Sequence, residues 1–190
     1  MTVACRSHLI LGGARSGKSR YALAEATSER RRTAFLATAR AQDGDMAARI
    51  ARHRGERPDS WTTLEEPHDL VAACRRLAIR HDLILIDCLT LWVSNLLERG
   101  DSDEAVLAAA DDLAKLIGER TVSLILVSNE VGAGVHPPTE IGLRFRDLLG
   151  MVNQRVAAAA ERVTLMVAGL PVVVKTLSPP PDHERAPEAP

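Results

Sequence analysis

The chain has 190 residues, enough for one domain with a substantial core and too few for two ordinary ones. With 24 Lys plus Arg against 25 Asp plus Glu the net charge is -1, so no global basic field argues for nucleic acid as a partner. Three scattered cysteines, Cys5, Cys74 and Cys88, form no CxxC pair, which speaks against a zinc site or disulfide framework and for a reducing compartment.

The apolar run before Gly12 is too short for a secretory signal, and no stretch of 18 apolar residues occurs. No membrane span is therefore expected, and the cytoplasm is the default location. The run His8-Leu9-Ile10-Leu11 predicts a strand that breaks at Gly12-Gly13 and is followed by a helix from Lys18 to Arg30. Thr33 to Ala37 predicts a second short buried strand. Gly44 to Arg54 predicts a helix with Met46 and Ile50 at i, i+4, stopped by Gly55 and Pro58. Pro67 opens a helix to Arg80 with Leu70, Ala73, Cys74 and Leu77 on its apolar side.

Leu83 to Asp87, LILID, is a continuous apolar run ending in an acid, as in a strand buried on both faces of a parallel sheet. Helices follow over Leu89–Glu98 and, after Asp101-Ser102-Asp103, over Glu104–Ile117. Val122 to Asn129 predicts a strand, Thr139 to Ala160 the longest helix, and VTLMVAG and PVVVK the last strands. This alternation predicts an α/β fold with a mainly parallel sheet. Residues 1–175 are expected to form a single unit, and the proline-rich, charged residues 176–190 a disordered tail.

Gly12, Gly13, Ala14, Arg15, Ser16, Gly17, Lys18 and Ser19 fit GxxxxGK[ST] without a gap, after a predicted strand and before a predicted helix. Such a loop curls backbone amides around phosphates at a helix N-terminus. Its lysine reaches the β and γ phosphates, and its hydroxyl ligates Mg2+. Asp87 has two readings: the acid that holds Mg2+ through water, or an N-cap for the helix at Leu89, a duty Thr90 could take instead. The nearest thing to a guanine-reading NKxD is Ser128-Asn129-Glu130-Val131, which lacks the lysine and the aspartate and so argues against a switch GTPase.

Six stretches then stand in register with one family: GGARSGKS, the ATA of residues 37–39, DMAARIARHRGERPDSWTTLEEP, DCLTLWVSNLL, SNEVGAGVHP, and FRDLLGMVNQRVAAAAERVTLMVAGLPVVVK. Together, over roughly residues 8 to 175, they resemble the bifunctional adenosylcobinamide kinase/adenosylcobinamide-phosphate guanylyltransferases of cobalamin assembly. The resemblance implies a P-loop NTPase with a RecA-like sheet, helices on both faces, and a homotrimer. It implies phosphorylation of adenosylcobinamide by ATP or GTP, then transfer of GMP from GTP through a histidine-GMP intermediate, matched here by His53. It extends the nucleotide contacts from the glycine loop to Ala37, Thr38, Ala39, Arg54, Gly55, Glu56, Arg57, Glu65 and Asp87, with Mg2+ at Ser19 and Asp87. Asp45 and His136 depart from the family's usual residues.

His53 sits among Arg49, Arg52, Arg54 and Arg57 and falls on the apolar side of its predicted helix with Met46 and Ile50. Two readings compete: a last-turn capping histidine, favoured by the helix dipole, and a phosphate-attacking imidazole. Like-charge repulsion from the arginines disfavours the protonated imidazole, and their guanidiniums suit phosphate oxygens, Arg54 and Arg57 above all. The remaining histidines, His8, His68, His81, His136 and His183, are expected as surface or capping groups, and Trp61 and Trp92 as core. Two rival functions are a monofunctional small-molecule kinase and a nucleotide-binding regulator.

Overall fold

The computed structural model describes residues 6–29, 31–40, 54–55, 57–134 and 136–176. Seven strands form one sheet: β1 Ser7–Gly12, β2 Thr33–Ala37, β3 Thr62–Glu65, β4 Leu83–Asp87, β5 Ser123–Val127, β6 Arg162–Val167 and β7 Leu170–Lys175. The helices are α1 Lys18–Ser28, α2 Leu70–Ala78, α3 Leu89–Arg99, α4 Asp103–Glu119 and α5 Glu140–Ala159. The predicted helix over Gly44–Arg54, except Arg54 itself, lies outside the described residues, as do His53, Glu56 and the tail from Leu177.

The strand order is β3-β2-β4-β5-β1-β6-β7, parallel throughout except for β7, which runs against β6. Strands covered on both faces need apolar residues at every position, and LILI of β4, SLILV of β5 and TAFLA of β2 supply them. Alternation assigns the faces. Leu83, Leu85, Ile125 and Val127 pack with Ala22 and Ala26 of α1, whose small side chains let that helix lie close to the sheet. Ile84, Ile86, Leu124 and Leu126 pack on the other face against α2, α3, α4 and α5, through Leu77, Trp92, Leu113, Val152 and their neighbours. The expected α/β architecture with helices on both faces is thus observed.

Local signals set most boundaries. Ser102 caps α4 by accepting from the Ala105 N–H, and Thr139 caps α5 by accepting from that of Gly142. Gly100, at φ 94, ends α3 in the left-handed region. Ala168 and Gly169 (φ 50 and 85) turn β6 into β7 through two left-handed residues, as a two-residue hairpin requires. Strand β3 was not expected from the sequence, because TTLE has one apolar residue in four and pairs only along its β2 edge. The outer strand β7 exposes most of its apolar side chains, Leu170 at 69% and Val174 at 61%. No helix among the described residues is long and apolar enough to cross a membrane.

Candidate functional site: a phosphate loop at the carboxyl edge of the sheet

The register aligns the carboxyl ends of five strands on one level. Glu65 stands beside Ala37, Ala37 beside Asp87, Asp87 beside Val127, and Val127 beside Ile10. Two residues past Ile10 the chain enters the glycine loop. In doubly wound sheets this edge is where ligands bind, in the crevice where the strand order reverses. The chain steps from β1 to β2 on one side and later returns to place β6 on the other.

The loop's shape comes from particular glycines. Gly12, at φ 151, leaves no room for a side chain: a Cβ there would lie 2.6 Å from the Met166 carbonyl oxygen and 2.6 Å from Ser16 Oγ. Gly17, at φ 95, immediately precedes α1. A Cβ on Gly13 would meet nothing within 4 Å, so the loop's outer face is open to a ligand. The Ser16 N–H donates to the Gly13 carbonyl at 3.3 Å, and the Gly169 N–H donates to the Ser16 carbonyl at 3.0 Å. The β6–β7 turn therefore buttresses the loop, a contact invisible in an eight-residue motif.

Lys18 is buried, its ammonium donating to the Gly13 carbonyl at 2.7 Å, so the charge is held inside the loop's curl. Ser19, the second residue of α1, is half-buried, and its hydroxyl makes no hydrogen bond among the described residues. Asp87 is two residues past Leu85 and shares the α1 face of the sheet with Ser19's helix. The N-cap of α3 is Cys88, so Asp87 does not cap that helix. Thr90 does not cap it either; its hydroxyl accepts from the Asn129 N–H at 2.7 Å. A hydroxyl and a carboxylate are the hard oxygen donors Mg2+ takes beside substrate phosphates, and they fit that ion without a larger protein cage. No cluster of three or more metal-binding His, Cys, Asp or Glu side chains occurs among the described residues.

Thr38 is fully buried and acts as a strut. Its hydroxyl donates to the Cys88 carbonyl at 2.7 Å and accepts from the Cys88 N–H at 2.8 Å, while its own N–H donates to the Asp87 carbonyl at 3.2 Å. Asn95 then donates to the Thr38 carbonyl at 2.8 Å. The backbone that carries Asp87 is thereby tied to the ends of β2 and α3. Burial, helped by the negative charge of Asp87, pushes the Cys88 thiol up to about 11, and burial pushes that of Cys74 up to about 12, so neither is an available thiolate.

Of the other expected contacts, Ala37 ends β2, Ala39 follows the strut, and Glu65 is exposed at the end of β3. Arg54 and Gly55 are exposed. The Arg57 guanidinium lies 3.4 Å over the Phe35 ring and donates to Thr63 Oγ1 at 3.4 Å, on the sheet face that also carries Asp87. His136 is exposed, and His81 caps the end of α2, its Nδ1 lying 2.9 Å from the Leu77 carbonyl. Trp92 is core, and its indole N–H donates to the His68 carbonyl at 2.6 Å.

His8 corrects the expectation of a surface group. It is 2% exposed, with Nδ1 2.8 Å from a Glu25 carboxylate oxygen and Nε2 2.8 Å from the Thr164 hydroxyl. The carboxylate only accepts, so Nδ1 donates to Glu25, and Nε2 is hydrogen-bonded to the Thr164 hydroxyl. Each polar atom of this trio is served by another. It sits at the start of β1, the end of the sheet away from the loop, beside an open depression of about 450 Å³ lined by Tyr21, Glu25 and Arg162.

Residues 8–174 match the family described as "Cobinamide kinase / cobinamide phosphate guanyltransferase". The chain belongs to this family. It is 47% identical over 167 residues to the bifunctional adenosylcobalamin biosynthesis protein CobP of Pseudomonas aeruginosa, covering 88% of this chain and 96% of that protein. It is 37% identical over 179 residues to the bifunctional adenosylcobalamin biosynthesis protein CobU of Escherichia coli K12, covering 88% and 98%. Among solved structures it is similar to the ATPase EscN of the type III secretion system of enteropathogenic E. coli, with TM-score 0.53, 13% identity, and coverage of 85% of this chain but only 43% of that one. At that identity the likeness concerns the fold alone.

Proposed function

We propose that the chain phosphorylates adenosylcobinamide with a nucleoside triphosphate and then transfers GMP from GTP to the new phosphate, giving adenosylcobinamide-GDP and pyrophosphate. The observation that carries this is the glycine loop, with Lys18 and Ser19 at the head of α1 and Asp87 on the same face of the sheet, within a chain that matches this family over nearly its whole length.

In the first reaction the loop's backbone N–H groups and the N-terminus of α1 take the phosphate oxygens. The Lys18 ammonium exchanges the Gly13 carbonyl for the β and γ phosphates, a trade of a neutral acceptor for charged ones. Ser19 and Asp87 would hold Mg2+, which offsets phosphate charge when bound. The strut from Thr38 fixes the main chain at Asp87, so the carboxylate is positioned before substrate arrives.

In the second reaction a neutral His53 nitrogen attacks the α phosphate of GTP. A nitrogen–phosphorus bond forms, the bond from the α phosphorus to the bridging oxygen breaks, and pyrophosphate leaves with that electron pair. An oxygen of the corrinoid phosphate then displaces the imidazole. The surrounding arginines disfavour the imidazolium and stabilise the departing anion, with Arg54 and Arg57 on the phosphates. Intact mass after incubation with GTP tests this: wild type should gain one GMP and His53→Ala none. A wild type that gains nothing, or a His53→Ala protein that still gains GMP, overturns the histidine assignment.

We further propose self-association as a homotrimer in the cytoplasm. An exposed apolar edge strand such as β7 supports association, because unpaired strand edges readily template pairing. Light scattering on the purified protein, with Val173→Glu as the disrupting variant, tests it; a monomeric wild type overturns it.

A further inference from the structure

The structure assigns Asn129, the residue that failed as part of a guanine-reading motif, to the γ phosphate of the kinase step. Its place in the sheet is the first argument. β5 lies between β4, which carries Asp87, and β1, which carries the loop. The ladder continues past the strand ends, with the Ser128 N–H donating to the Ile10 carbonyl and the Glu130 N–H to the Gly12 carbonyl, both at 3.0 Å. Asn129 is thus level with Gly12 and lies between the loop and the Asp87 strand.

The second argument is the face. Val127 packs on the α1 side, and two residues on, Asn129 keeps that side, as Asp87 does two residues after Leu85. The third is how the residue is held. Its N–H donates to Thr90 Oγ1 at 2.7 Å and its carbonyl accepts from Asn153 Nδ2 at 3.0 Å, so side chains from α3 and α5 clamp both backbone groups. Its own amide makes no hydrogen bond among the described residues. A fixed backbone presenting an unengaged donor beside a phosphate loop is what charge stabilisation at a reacting phosphoryl group requires.

The amide Nδ2 donates to a γ oxygen while the acceptor hydroxyl forms its bond to the γ phosphorus. The bond from that phosphorus to the β–γ bridging oxygen breaks, its electron pair stays on the nucleoside diphosphate, and the hydroxyl proton passes to solvent. In guanylyl transfer the bond that breaks is at the α phosphorus, so the same amide contributes less. This assignment rests on the loop serving both reactions.

The experiment measures both half-reactions for Asn129→Ala and for the isosteric Asn129→Asp: phosphorylation of adenosylcobinamide with ATP and with GTP, and guanylyl transfer from GTP to adenosylcobinamide phosphate. Both variants should lose about 30-fold or more in kinase kcat with nucleotide KM within about 3-fold, and at least about tenfold less in guanylyl transfer. Equal losses in the two reactions, a loss confined to KM, or kinase kcat within about 3-fold of wild type in Asn129→Asp would overturn the assignment. Lys18→Ala is run alongside: if it too keeps both activities, the shared-loop reading fails, whereas loss in Lys18→Ala with none in the Asn129 variants fails only the present inference.

Discussion

The two ends of this sheet carry similar chemistry to opposite effect. At the amino end, His8 stands between a carboxylate and a hydroxyl, 2.8 Å from Glu25 on one side and 2.8 Å from Thr164 on the other, an arrangement that on paper suggests a catalytic relay. At the carboxyl end, Ser19, Asp87 and Asn129 come from three separate stretches of the chain. The amino-end trio is closed, every donor meeting an acceptor within the fold. At the carboxyl end the backbone is over-determined by Thr38, Thr90, Asn95 and Asn153, while the Ser19 hydroxyl and the Asn129 amide engage no other described residue. Closed polar clusters hold elements together; clamped backbones with unengaged side chains receive ligands.

The sharpest way to break that contrast is through activity. Lys18→Ala should lower turnover in both half-reactions by about 1,000-fold or more with little change in melting temperature, since phosphate charge stabilisation is lost. Steady-state kinetics beside a thermal melt show whether this is so. His8→Ala should do the reverse. It leaves Glu25 and Thr164 without their buried partner and should cost about 2–4 kcal/mol in urea unfolding, with kcat of the folded enzyme within about twofold of wild type. A folded His8→Ala enzyme with kcat down tenfold would erase the distinction between the two ends.

Backbone variants sharpen the carboxyl-end description. Gly12→Ala forces a methyl to within 2.6 Å of the Met166 carbonyl and should cost about 2–3 kcal/mol. Gly169→Ala, at φ 85 in the turn, should cost about 1 kcal/mol and raise nucleotide KM, because its N–H supports Ser16. Urea titration and nucleotide saturation curves measure both.

The smallest effect is a pH effect. Burial works to raise the Glu66 carboxyl, but hydrogen bonds from the Asp69 and His68 N–H groups, with Arg76 nearby, outweigh it and leave the group below its ordinary value of 4.5. A lowered folded pKa means that this stabilisation is complete above the ordinary value and disappears as pH falls through the lower folded one. Glu66→Gln should therefore be less stable by about 0.5–1 kcal/mol at pH 7 and no different from wild type at about pH 2–3. A difference that persists undiminished in acid would contradict the assignment.

How much of this was legible in the sequence depended on the range of the interactions involved. LILID and VSLILV announced buried parallel strands because double coverage demands an unbroken apolar run, and Ser102 and Thr139 announced helix starts because capping is local. The glycine loop was legible for the same reason. Strand β3 was not, since an edge strand needs little hydrophobicity. His8 misled because the partners that bury it, Glu25 and Thr164, are 17 and 156 residues away. Asn129 lacks the lysine and aspartate that would make it a guanine reader, and only strand order shows it lying between the loop and Asp87.

The contact between Gly12 and the Met166 carbonyl bears on portability. The loop's most constrained residue is shaped against a strand more than 150 positions downstream, and its far side leans on the turn at Gly169. Residues 12–19 are thus half of a two-piece mould. Grafted onto another strand–helix junction, the octapeptide would carry the motif and not the cradle; a circular permutant cut elsewhere but keeping β1 beside β6 would carry both.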